Sequence, residues 1–129
     1  ASRLQCGDSI HFLGRRDDIP ELLALFDVFA FPSYFEGLPG ALLEAMCAKL
    51  PIVTTPVDGC SELVKDGVHG THVSVGNTDA LAEAIIQYLE DPEIADRHAA
   101  TAHERALSSF NLDTMVENFQ NLYDSLITT

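Results

Sequence analysis

Residues 28–55 constrain this chain more than any other stretch, because two prolines fence a glycine loop and a helix-forming run between two apolar segments. The first segment, residues 28–31, is ended by Pro32, which lacks a backbone donor and fixes φ. A glycine loop follows from Ser33 to Gly40 and carries one carboxylate, Glu36. Ala41, Leu42, Leu43, Glu44, Ala45, Met46 and Ala48 then supply strong helix formers with no β-branched residue. Pro51 restarts the chain, and residues 52–55 read as a buried strand. The pattern is strand, loop, helix, strand: a βαβ unit whose loop lies at the carboxyl end of its first strand. In open α/β sheets that edge is where ligands bind.

The spacing within the unit has chemical consequences. A helix that begins near Pro39 or Gly40 points its unpaired N–H groups and positive dipole end into the loop. Such a terminus suits an anion, most naturally a phosphate. Gly37 and Gly40 let the backbone approach that ligand closely. Glu44 follows four residues later, about 6 Å along the axis at a rise of about 1.5 Å per residue. It is too deep to meet the phosphate but is placed to accept hydrogen bonds from a diol such as a ribose. Glu36, before the helix, flanks the anion site on its other side. Two carboxylates around an anion site describe a nucleotide diphospho-sugar. An ordinary amphipathic helix with exposed glutamates would show the same spacing.

Glu36 and Glu44 are separated by seven residues within PSYFEGLPGALLEAM. This text resembles the E-x7-E signature of retaining glycosyltransferases with two Rossmann-like domains, the GT-B fold, and in particular the large group labelled family 4. The similarity extends through IHFLGRRDDIPELLALFDVFAFPS, IVTTPVDGCSELVKDGVHGTHV and the ending FNLDTMVENFQNLYDSL. The resemblance implies that Glu44 holds ribose hydroxyls and that Glu36, in the catalytic position, meets sugar hydroxyls near the reacting carbon. It implies further that backbone groups of Gly37, Leu38, Pro39, Gly40 and Ala41 hold the distal phosphate and sugar. Ser33, Arg15 and Arg16 are further candidates for the same site. Arg15 and Arg16 could equally balance Asp17 and Asp18 in a solvated loop. No metal and no cofactor is expected, the nucleotide diphospho-sugar being the donor substrate.

Composition narrows the alternatives. With Lys+Arg at 7 against Asp+Glu at 20, the net charge of −13 argues against nucleic acid and anionic lipid as partners. The apolar runs fall far short of the roughly 20 residues of a membrane span. Cys6, Cys47 and Cys60 have no metal or redox spacing and are expected as small core residues in a reducing compartment. A cytoplasmic location follows, with the full-length enzyme peripheral to the inner face of the membrane.

Along the chain, residues 1–8 look like a helix end stopped at Gly7, and residues 10–13 read as a strand containing His11. Asp17 or Asp18 is expected to cap a helix over residues 19–26. A second glycine turn, residues 56–61, brings Gly59 and Ser61 toward the same cleft, and residues 62–65 read as a short helix whose Glu62 ties a loop. Residues 70–75 read as a strand, with His69 and His72 at its start but no acidic or thiol companion at metal-ligand spacing. Asn77 or Thr78 caps a helix over residues 80–90, and Asp91–Pro92 separates it from another over 93–107. The last helix opens at Asn111, with Met115, Phe119, Leu122, Tyr123 and Leu126 as a buried stripe. In the family, this terminal helix crosses toward the other domain.

The fold expected is therefore α/β, a Rossmann-like parallel sheet with flanking helices, forming a partial GT-B C-terminal domain over residues 1–129 with helices from about residue 78 onward. The resemblance also implies what this sequence does not contain: two strands before residue 10, a Gly-Arg…Lys-Gly segment that neutralises the diphosphate, and an N-terminal acceptor domain. Leu50 stands where a glycine is common. The function implied is the donor side of a retaining glycosyltransferase, inactive as an isolated chain. The alternative is a non-catalytic domain or subunit that associates with a partner chain, and an open sheet edge at residues 10–13 would favour self-association. A receiver-like signalling domain would need clustered Asp and a later Lys, which the sequence lacks.

Overall fold

The computed structural model describes residues 6–127. Its elements are α1 (Ile19–Leu23), β1 (Phe29–Phe31), α2 (Gly40–Cys47), β2 (Ile52–Thr54), α3 (Asp58–Leu63), β3 (Thr71–His72), α4 (Thr78–Glu90), α5 (Pro92–Ser109) and α6 (Leu112–Ile127), after a 3-10 turn at Gly7–Ser9. The strands form one parallel sheet in the order β1-β2-β3. Phe31 pairs with Thr54 at the carboxyl end of the first ladder, and Thr54 with His72 at that of the second.

The central strand explains the layering. Adjacent strand residues point to opposite faces. Ile52 accordingly joins a core with Leu42, Ala45, Met46, Leu63 and Ala102, from α2, α3 and α5. Val53 joins a second core with Val73, Ala84, Tyr88 and Ala95, from the residue after β3, from α4 and from the start of α5. Helices thus cover both faces, as a parallel sheet requires. Ala99, Ala102 and Ala106 make the buried face of α5 small, which lets that helix lie close to α2. The caps are local. Asn77 accepts from the Ala80 amide at 3.0 Å, Asp91 from Ile94 at 3.1 Å and Asn111 from Thr114 at 2.8 Å.

Several expectations change. The expected helix end over residues 1–8 lies largely outside the described residues. Residues 10–13 form no strand, and Phe12 is 87% exposed. Residues 10–13 have no ladder partner among the described residues, and a strand without one is not stable. The sheet edges are instead β1 and β3, each of which has a ladder partner on one side only among the described residues.

Helix α1 is one turn long and uses Asp18 as N-cap without a side-chain cap bond, because that carboxylate is taken by the Arg16 guanidinium. Helix α3 starts at Asp58, four residues early, because burial of Gly59, Cys60 and Leu63 outweighs the weak helix propensity of that stretch. Strand β3 has two residues: Val73 still donates to the Thr54 carbonyl at 2.8 Å, and the chain then turns through Gly76 at φ 76°. Of the cysteines only Cys60 is buried, Cys47 being exposed. The stripe expected to be buried on α6 is open: Phe119 is 52% exposed, and no residue of that helix is buried. The helix forms on local amphipathic pattern, but its apolar face meets only the rim of the domain.

Candidate functional site

Pro32 ends β1 and sends the chain into the loop that precedes α2. Pro39 is the N-cap, at φ −74° and ψ 113°, and offers no side-chain acceptor. Its carbonyl accepts from the Leu42 and Leu43 amides at 3.1 and 3.4 Å. The amides of Gly40 and Ala41 come earlier still, at the tip of the helix, where no acidic side chain occupies the first turn. An uncapped terminus of this kind, at the carboxyl edge of a parallel sheet, is suited to an anion.

Glu36 is half-buried beside that terminus. Its Oε1 accepts a hydrogen bond from the Ser33 hydroxyl at 2.8 Å, and its carbonyl accepts from the Gly59 amide at 3.4 Å. Gly59 is pressed against the loop: a Cβ there would lie 1.7 Å from the Gly37 carbonyl oxygen. This contact joins the two glycine turns, so that Gly59 supports the loop from below. Ser61 and Glu62 remain exposed, and Glu62 contributes its carbonyl, which accepts from Arg105 at 2.8 Å. Thr54 and Thr55, both buried, donate their hydroxyls to the Phe31 and Ser33 carbonyls at 2.9 and 2.5 Å.

Glu44 lies further along α2 and is exposed. With Ile19, Pro20, Leu23, Ala24, Cys47 and Ala48 it lines a cleft of about 340 Å³ between α1 and α2. The two glutamates therefore sit on different sides of one helix end, Glu36 toward β2 and α3, Glu44 toward α1. Ser33, Gly37, Leu38, Pro39, Gly40 and Ala41 belong to the same continuous loop and helix end. Arg15 and Arg16 are engaged elsewhere: Arg15 lies 3.9 Å from Asp17, both almost fully exposed, and Arg16 is paired with Asp18. That hydrogen bond raises the Arg16 pKa and lowers the Asp18 pKa.

The nearby Cys60 thiol is fully buried. Burial pushes the Cys60 pKa up, and the charge of Glu36 adds to the effect. The histidines are committed to backbone groups: His69 Nδ1 accepts from the Lys65 amide at 3.1 Å, and His72 Nε2 lies 2.9 Å from the Val64 carbonyl. Behind the sheet, Thr71 donates to the Tyr88 hydroxyl at 3.0 Å, and that hydroxyl lies 2.8 Å from His98 Nδ1. Burial raises the Tyr88 pKa and lowers that of His98. Arg105 reaches from α5 to the last carbonyls of α3 and packs over the Phe110 ring. Neither cluster was visible in the sequence, whose only hint was polar residues at helical core positions.

Comparison with known proteins decides the family. A sequence model described as "Glycosyl transferases group 1" matches residues 1–91. The chain belongs to that family. An N,N'-diacetylbacillosaminyl-diphospho-undecaprenol alpha-1,3-N-acetylgalactosaminyltransferase of Campylobacter jejuni is 34% identical over 119 residues, covering 92% of this chain and 31% of the relative. The structure of Anabaena Alr3699/HepE in complex with UDP superposes with a TM-score of 0.84 at 32% identity, over 99% of this chain and 35% of that one. Sucrose-phosphate synthase from Thermosynechococcus elongatus superposes at 0.89 with 27% identity, over 98% of this chain and 32% of that one. The group 1 chain thus spans about a third of the length of the relatives it matches, and its sheet and helices form a partial C-terminal domain of the GT-B type. Among the described residues, no helix is long and apolar enough to cross a membrane.

Proposed function

We propose that this chain is the donor side of a retaining glycosyltransferase that transfers a sugar from a nucleotide diphospho-sugar to an acceptor hydroxyl. The observation that carries the reading is the uncapped N-terminus of α2, at the carboxyl edge of the sheet, with Glu36 and Glu44 on its two sides. The distal phosphate sits at the amides of Gly40 and Ala41, supported by those of Gly37 and Leu38. Glu44 accepts the ribose hydroxyls in the cleft against α1. Glu36, with one oxygen held by Ser33, receives a sugar hydroxyl near the reacting carbon. UDP is the first nucleotide to test, because HepE is described with UDP and with UDP-glucose.

Neutralisation of the diphosphate comes from the helix terminus and from basic side chains, without a metal or cofactor. A helix terminus contributes about 0.3–1 kcal/mol per exposed interaction. Against a chain of net charge −13 with Arg15 and Arg16 engaged by aspartates, this does not hold two phosphate charges. The further cations come from the basic segment and the two strands that the resemblance places before residue 10, which also extend the sheet at the free edge of β1, and the acceptor site belongs to a separate N-terminal domain. Self-association of the isolated chain would use the same edge. The full-length enzyme works in the cytoplasm at the inner membrane face, a reading supported by relatives named for undecaprenol-linked acceptors.

Glu44→Ala in the full-length enzyme tests the ribose assignment. Charge-assisted hydrogen bonds contribute about 1.5–3 kcal/mol, so UDP binding measured by calorimetry should weaken by roughly tenfold to a hundredfold. An unchanged dissociation constant would remove Glu44 from the nucleotide site.

A further inference from the structure

The loop that carries Glu36 makes little use of its own backbone for support. One short-range bond, from the Ser33 amide to the Phe31 carbonyl at 3.0 Å, lies within it. The rest of its support comes from β2 and α3. The ladder between β1 and β2 ends at the pair Phe31–Thr54. Thr55 is the next residue, past the last pair, and its side chain continues what the backbone has stopped doing: the hydroxyl donates to the Ser33 carbonyl at 2.5 Å. Thr55 is 1% exposed. A buried hydroxyl is costly unless bonded, and valine would fill the same space without that cost.

Ser33 receives this bond and is also the residue whose hydroxyl donates to Glu36 Oε1. The link therefore runs from the Thr55 hydroxyl to the Ser33 backbone, and from the Ser33 hydroxyl to the carboxylate. Gly59 closes the frame by donating to the Glu36 carbonyl and lying flush on Gly37. A carboxylate offers two oxygens, and here Oε1 is taken within the protein.

We infer that Thr55 is a positioning residue for Glu36: it fixes Ser33, Ser33 fixes Oε1, and Oε2 is left aimed at a ligand hydroxyl. The inference rests on the reading that Glu36 meets the donor sugar. Thr55 acts only through Ser33 and touches no substrate.

The test compares Thr55→Val with Thr55→Ser in the full-length protein, by donor turnover, by UDP binding and by hydrogen exchange. Thr55→Val should lower kcat about tenfold while KM for the donor and Kd for UDP change less than about twofold, and Thr55→Ser should restore kcat. In hydrogen-exchange mass spectrometry, peptides over residues 33–40 should exchange about fivefold faster in Thr55→Val and at the original rate in Thr55→Ser, with α5 unaffected. If Thr55→Val fails to fold, Ser33→Ala, at a half-buried loop position, carries the same kcat expectation, because it removes the bond to Glu36 Oε1 while its carbonyl still accepts from Thr55. An unchanged kcat, a loss that serine does not restore, or unchanged exchange over residues 33–40 would overturn the inference. Absence of turnover in the unsubstituted protein with every sugar nucleotide would remove the donor-side reading, and the exchange comparison would still decide the Thr55–Ser33–Glu36 series.

Discussion

Gly59→Ala places a single methyl where the two glycine turns meet. The backbone of Gly59 lies outside the left-handed region, so alanine is sterically allowed there by its own dihedrals. As a residue of α3, alanine should even gain about 1 kcal/mol in helix propensity. The neighbours oppose it: the new Cβ would meet the Gly37 carbonyl oxygen at 1.7 Å, its carbon at 2.5 Å and the Leu38 nitrogen at 3.1 Å. Carbon contacts are favourable near 3.5–4.0 Å, so the overlap with the oxygen is about 2 Å. All three atoms are backbone and cannot rotate away. Displacing the loop also breaks the bond from the Gly59 amide to the Glu36 carbonyl. Overpacking typically costs about 1–3 kcal/mol, and a backbone obstruction places this case at the upper end. With about 1 kcal/mol returned by propensity, the net loss is about 2 kcal/mol. Urea unfolding followed by circular dichroism should show it as a midpoint lowered by about 1 M, for a slope near 2 kcal/mol/M. Gly40→Ala is the control, since nothing lies within 4 Å of its would-be Cβ. A Gly59→Ala midpoint equal to or above the original would refute the packing of the two turns.

Glu36→Gln should leave UDP binding nearly unchanged in calorimetry while lowering turnover of the sugar nucleotide; an equal fall in both would mean that Glu36 only shapes the loop. The isolated chain should bind UDP at millimolar or weaker affinity and transfer no sugar, and micromolar binding by calorimetry would show that its cations suffice. For pH, burial holds the folded-state pKa of His98 below its ordinary value of 6.5, with Arg97 adding to the effect and Asp66 and the Gly67 carbonyl opposing it. The sign follows: the stabilisation is present above pH 6.5 and is lost as pH falls through the folded pKa. Urea midpoints should therefore drop on acidification below pH 6.5, and His98→Gln should flatten that part of the profile.

The βαβ unit was legible because its signals are local. Pro32 stops a strand, helix-forming residues from Ala41 onward have no competing propensity, and Asn77, Asp91 and Asn111 cap helices by bonding amides three residues away. The E-x7-E spacing likewise survives translation into structure, because both glutamates hang on one helix and the loop directly before it. Residues 10–13 misled for the opposite reason. Their apolar pattern is that of a strand, but a strand exists only with a ladder partner, and pattern does not supply one.

Sequence alone was enough to locate the elements of residues 28–55 and the capped helices, to put a carboxylate on each side of the start of α2, and to give the chain its acidic net charge. Those properties depend on neighbours within a few positions, or on a simple sum. Long-range packing alone settles that Thr55 reaches Ser33 across 22 positions and that Gly59 must be bare to admit the Gly37 carbonyl, whereas the pairing of Arg15 and Arg16 with Asp17 and Asp18, two residues away, is already one of the readings the sequence supports. Packing also settles that the apolar face of α6 stands open, since amphipathic periodicity tells a helix which face to bury and leaves unstated what will cover it.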